Sequence, residues 1–235
     1  MRKLLLLPIG LSLLVAGCGS GGNPAAVAYH PQIDPANFTT RVTNRYWPMK
    51  PGTTFTFSGH KEGKPQRVVV AVKRSTRTIM GVKTITVQDT VTTDGKLTEN
   101  TTDWYAQDHH GNVWYFGEAS KDYEKGRMVS THGSWVAGID GARPGIVMRA
   151  DPKPGPTYRQ EFRPGVAEDM AKVLSTGGAA KVRAGRFGSV VTTFESTPLE
   201  PGKVEHKYYA PGVGLVRAKA AAEKEEIRLV KVTRR

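Results

Sequence analysis

Residues Val82–Thr93 read Val-Lys-Thr-Ile-Thr-Val-Gln-Asp-Thr-Val-Thr-Thr, and Asp94-Gly95 follow. Ile85, Val87 and Val91 fall on one face of an extended chain; Thr84, Thr86, Gln88, Thr90 and Thr92 fall on the other. A period of two marks a half-buried strand, and Asp-Gly suits the positive backbone angles of a two-residue hairpin. Residues 97–107 return with Trp104 and Tyr105, Asp108-His109-His110-Gly111-Asn112 turns the chain again, and 113–118 run back. The pattern is an antiparallel meander of β-branched and aromatic residues, which suit a pleated, half-buried surface.

The same reading extends outward. Upstream, 53–58 alternate Phe55 and Phe57 with Thr and Ser, 59–64 read as a turn, and 66–73 are rich in valine. Downstream, 119–165 are broken by glycine and proline, with short strands expected near 127–136, 145–149 and 157–163. Residues 166–174 predict one short helix: Glu168 and Asp169 sit where negative charge favours a helix start, and Met170, Val173 and Leu174 share a face. Strands resume at 179–183, 189–196, 203–209, 215–221 and 227–232, with a tight turn at Pro211-Gly212 and Gly214. No fixed repeat is present. The expected fold is mostly β: a single domain over 53–235 with a curved antiparallel sheet of about ten or more strands and one short helix. Open edges aggregate, so the sheet should close as a half-barrel or barrel.

The N-terminal part reads differently. Arg2 and Lys3 precede an apolar run over 4–15 that Pro8 interrupts, and Val15-Ala16-Gly17-Cys18 follow. The run is shorter than the roughly 18–20 residues of a spanning helix and fits a signal peptide over 1–17. Val15-Ala16-Gly17-Cys18 resembles the bacterial lipobox. That resemblance implies cleavage after Gly17 and a membrane anchor of diacylglycerol, with palmitate-like chains, on Cys18. Cys18 is the only cysteine, so the domain must hold without disulfides. Residues 18–28 then form a Gly-rich lipidated tether, and 29–52 a Pro-rich extended arm anchored by Phe38, Tyr46 and Trp47. The expected location is exported and lipid-anchored, at the cell membrane or the outer membrane of the envelope. Gly19 and Ser20 leave no Asp directly after the cysteine, which permits outer-membrane sorting in a Gram-negative host.

The chain is formally +13, or about +11 without Arg2 and Lys3. The charge is spread out, with no basic helix and no aromatic-basic signature, so nucleic acid is not an expected partner. Spread positive charge suits solubility and attraction to anionic membranes or wall polymers.

Asp103-Trp104-Tyr105-Ala106-Gln107-Asp108 with Gly111-Asn112-Val113-Trp114-Tyr115-Phe116-Gly117-Glu118 forms one notable pair of segments. Glu205-His206-Lys207-Tyr208-Tyr209-Ala210-Pro211-Gly212-Val213-Gly214-Leu215-Val216 is another. Together they resemble a family of uncharacterised bacterial exported proteins over roughly 38–217, a resemblance that brings no catalytic residues. The closing hairpin is similar to lipoprotein-carrier-like half-barrels, which implies an apolar ligand.

The residues offer several chemistries. His109 and His110, with Asp103, Asp108 and Glu118 near in sequence, suit a metal ion, although the same stretch reads as a solvent-facing hairpin tip. Ser130, Thr131, His132 and Ser134 lack the Gly-x-Ser-x-Gly setting of a nucleophilic serine. Glu118, Glu161, Glu168, Asp169, Glu195, Glu200 and Glu205 could supply a hydrolase pair or pair with lysines and arginines. Trp104, Trp114, Tyr115 and Tyr208 are the candidate ligand-binding aromatics. No cofactor is expected. The functional expectation is a non-enzymatic lipoprotein that binds a lipid, a glycan, or another apolar or anionic envelope ligand, or that serves envelope maintenance. The alternatives are an envelope glycan or lipid hydrolase, or a structural protein with a basic interaction face.

Overall fold

The meander read from Val82–Thr93 is the middle of a much longer one. The structure, a computed structural model, describes residues 29–235. The expected signal peptide, Cys18 and the tether over 18–28 therefore lie outside the described residues. In chain order the strands are β1 (Phe38–Thr39), β2 (Thr53–Lys61), β3 (Lys64–Ile79), β4 (Val82–Thr93), β5 (Lys96–Asp108) and β6 (Val113–Glu124). Then come β7 (Arg127–Ser130), β8 (Trp135–Val136), β9 (Arg143–Met148), β10 (Tyr158–Arg159) and β11 (Glu161–Phe162). The last five are β12 (Met170–Val182), β13 (Gly185–Ser196), β14 (Val204–Ala210), β15 (Gly214–Ala220) and β16 (Glu225–Arg234).

Thirteen strands form one antiparallel path, β10-β12-β13-β14-β15-β16-β2-β3-β4-β5-β6-β9-β11. Its two ends meet, because β10 and β11 are separated only by Gln160. The sheet is thus a nearly closed barrel, as open edges require. At its upper end are the turns Glu62-Gly63, Asp94-Gly95 and Lys125-Gly126; at its lower end are Met80-Gly81, 109–112 and 211–213. The Asp94-Gly95 hairpin has positive φ at both residues, 53° and 71°, as its sequence predicts. The turn expected across 59–64 is tighter, since β2 and β3 run on until only Glu62 and Gly63 join them.

Inward positions alternate along the first part of β2 and β3 and along much of β4. Phe55, Phe57, Val68, Val70, Ile85 and Val87 are all buried. Each such side chain contributes about 1.5–3 kcal/mol on burial. The arm fills the lower end. Trp47 packs with ring centroids 5.9 Å from Tyr105 on β5 and 5.6 Å from Tyr209 on β14, so one indole bridges opposite walls.

One expectation fails. The helix predicted over 166–174 is absent: 166–169 are irregular and Met170 opens β12. Ala171 and Val173 are buried while Lys172 and Leu174 are exposed, which is the period of a strand. The helical face contained Leu174, which the structure leaves in solvent. Two glycines, Gly177 and Gly178, also follow directly, and cross-strand pairing with β13 outweighs a helix of two turns. The only helical element among the described residues is the 3-10 turn Pro35–Asn37, capped by Asp34. No helix among them is long and apolar enough to cross a membrane.

Candidate ligand-binding site

The upper half of the barrel interior is lined by carboxylates. Asp89, Asp103, Glu118 and Glu161 are each 1% exposed, and Glu99 and Glu225 are also buried. Strand register makes this arrangement unusual. Glu99 lies directly opposite Asp122, Asp103 opposite Glu118, and Glu195 opposite Glu205. Like charges facing each other across a ladder destabilise it, and buried carboxylates are costly unless compensated.

A bulge builds the deepest part of this site. Trp104 pairs with Gly117 but Tyr105 pairs with Tyr115, so Phe116 is an extra residue. Three residues apart on a regular strand, Tyr115 and Glu118 would face opposite sides. The bulge turns both inward, and the Tyr115 hydroxyl donates toward Asp103 Oδ1 (2.7 Å) and Glu118 Oε2 (3.1 Å). Gly117 has φ 144°, and a Cβ there would lie 2.5 Å from the Trp135 carbonyl oxygen. Tyr105 stacks on Tyr115 at 4.7 Å, and Trp135 meets Tyr115 edge-on while its Nε1 donates to Glu161. Burial first, then the charges of Asp103 and Glu118, push the Tyr105 and Tyr115 hydroxyls well above their ordinary range, so both stay protonated donors. The interior is therefore an aromatic floor below carboxylate walls.

The third opposed pair shows what such walls accommodate. Lys207 Nζ sits 2.6 Å from Glu195 and 3.2 Å from Glu205, joining both acids. Thr193 and Tyr209 also donate to Glu195 Oε1. Burial opposes the Lys207 charge, but Glu195 and then Glu205 outweigh it, so the ammonium is held above its usual range. Burial raises Glu205 to about 8 and Asp169 to about 7.

The barrel opens at the top into a mouth of about 680 Å³. Lys64, Lys96, Glu62 and Glu124 stand on its rim, and Gln66, Glu99 and Asp122 line its wall. Gln66 is 4% exposed and donates to Glu225 at 2.6 Å, while its own Oε1 has no partner among the described residues. Ser120, on the same inward face as Glu118 and Asp122, likewise has an unpartnered Oγ.

The aromatics singled out in the sequence do not gather in one place. Tyr115 faces inward. Trp104 faces outward beneath the Arg77 guanidinium, which lies 4.1 Å from its ring. Trp114 packs edge-on to Phe38 and donates to Asp108. Tyr208 is half-buried under Arg217. His109 and His110 are exposed at the lower hairpin tip, where Asp108 bonds to Asn112 rather than to either imidazole. No group of three or more His, Cys, Asp or Glu able to hold a metal ion occurs among the described residues. Of the dispersed carboxylates, Glu168 and Glu200 pair with Arg159 and Lys203. Glu118 shares the Tyr115 hydroxyl with Asp103, so that hydroxyl stands between the two carboxylates. Sequence alternation missed this cluster; the signal that could have found it is Gly117 interrupting an aromatic strand.

No protein-family model matches the chain, so the segments resembling exported bacterial proteins have no family match, and no curated protein matches significantly. Among solved structures, the chain is similar to a candidate lipoprotein from Parabacteroides distasonis ATCC 8503. That likeness covers 80% of this chain and 98% of the other, at 11% identity and a TM-score of 0.42. At this distance it carries neither function nor site residues across.

Proposed function

We propose that the chain is an exported, lipid-anchored binding protein, non-enzymatic, whose barrel mouth takes a ligand bearing amino groups. The signal-like run before Cys18 supports the location, with the anchor in place of a spanning helix. The observation that carries the binding role is the register of opposed carboxylates on the inner wall. The Lys207 bridge is the pattern: one ammonium held between two facing acids. Glu99 faces Asp122 in the same way in the wall of the mouth, where a ligand can reach both. The Gln66 and Ser120 oxygens, unpartnered among the described residues, add acceptors on the same inner wall. A polyamine carries the ammonium groups that such facing acids hold.

Calorimetric titration with spermine tests this reading. The expected result is saturable 1:1 binding that weakens with salt, and that weakens more than tenfold in the Glu99→Gln/Asp122→Asn double variant. Absence of binding, or equal affinity in the variant, would remove it.

A further inference from the structure

A second surface, at the opposite end and independent of the mouth, has the reverse character. A groove of about 1130 Å³ runs between the arm, β2, the β12–β13 hairpin tip and β16. Its charged lining residues are Arg41, Lys50, Arg183, Lys231 and Arg234, with no carboxylate among them. All five are exposed. The apolar side chains of Phe187, Val230 and Val232 are half-buried along its floor.

The groove is held in shape by defined contacts. β13 pairs with β14 only over residues 191–196, so the lower part of the β12–β13 hairpin extends past the sheet. Its tip folds back, and the Ala184 amide donates to the Leu229 carbonyl at 3.2 Å. That carbonyl is available because β16 bulges between Leu229 and Lys231. The groove also leads inward. Pro48, Met49, Phe55 and Val213 line both it and a small cavity of about 30 Å³ that reaches Trp47, Phe57 and Tyr209. A cationic rim thus adjoins a small, largely apolar hollow beneath the arm.

We infer that this groove binds a single anionic amphiphile, with its headgroup on the Arg183–Lys231–Arg234 rim and its acyl chain along the floor toward Met49 and Phe55. Charge complementarity selects the headgroup, since every charge in the lining is positive. The apolar floor selects a chain over a bare anion, at about 0.8 kcal/mol per buried methylene.

The test uses the whole chain carrying Cys18→Ser, so that no acyl group of its own competes. Dodecyl phosphate, dodecanol and inorganic phosphate are titrated separately below micelle formation. Dodecyl phosphate should bind 1:1, at least tenfold tighter than dodecanol, with no binding of phosphate in the same range. The exposed double variant Arg183→Glu/Lys231→Glu should weaken it more than tenfold. The Lys64→Glu/Lys96→Glu variant changes net charge equally at the other end and should leave it unchanged. With the unsubstituted groove, raising salt from 0.05 to 0.5 M should weaken binding several-fold, so the reading does not depend on any variant folding. Equal loss in both double variants, dodecanol binding as tightly as its phosphate, or affinity for inorganic phosphate alone would each overturn it.

Discussion

Glu225 shows how a single buried acid links this interior to pH. Its side chain is fully buried, Gln66 donates to one oxygen, and Lys61 lies 2.9 Å from the other. Burial outweighs both partners and raises its carboxyl from 4.5 to about 7. Between those values the folded chain keeps a proton that the unfolded chain releases. Stability contributed by this group is therefore complete below about pH 4.5 and declines as pH rises toward 7. Asp169 and Glu205 are raised too, so they act in the same direction. Glu225→Gln should flatten the fall in urea midpoint between pH 5 and 7 without abolishing it. Superimposable midpoint curves for the two proteins would contradict this assignment.

At the scale of elements, most strands were legible and most of the site was not. Val82–Thr93 and its Asp94-Gly95 turn are specified locally, by alternation and by residues that tolerate positive φ. The 166–174 segment was not, because Met170, Val173 and Leu174 fit a helical face as well as a strand, and only pairing with β13 decides. The carboxylate cluster was hidden for a related reason. One extra residue at Phe116 changes which side chains share a face, and alternation has no means of counting it. The bulge makes a specific prediction. Gly117 and Gly126 both have positive φ, 144° and 78°, so alanine strains the backbone at either position. Only at Gly117 does the new Cβ meet backbone, that of Trp135, whereas nothing lies within 4 Å at Gly126. Gly117→Ala should cost clearly more stability in urea unfolding than Gly126→Ala, whose loss should stay within about 1–2 kcal/mol. Equal costs would mean that β8 shifts away freely and that the bulge is not fixed by packing.

For the molecule as a whole, charge and closure are connected. Turning many acids inward leaves an outer surface still more basic than the formal charge suggests, and it makes the interior dependent on the wall being complete. The last strand supplies that completeness. β16 pairs with β15 on one side and along β2 on the other, so that Arg234 meets Thr53 and Glu225 meets Lys61. Ile227 and Leu229 point into the core from it and are fully buried. Pairing the first long strand with the last is a contact of extreme sequence separation, and loop-closure entropy must be overcome before it forms. Until β16 arrives, β2 and β15 are open edges and Phe57 faces solvent. A chain ending at Ala222 should therefore fail to reach the native state, losing near-ultraviolet dichroism and accumulating as aggregate. A synthetic peptide of residues 223–235, added during refolding, should recover soluble protein by adding a strand to the two open edges. If the shortened chain instead kept the native dichroism and urea midpoint, the barrel would be held by the arm and its Trp47 plug, and closure by β16 would be dispensable.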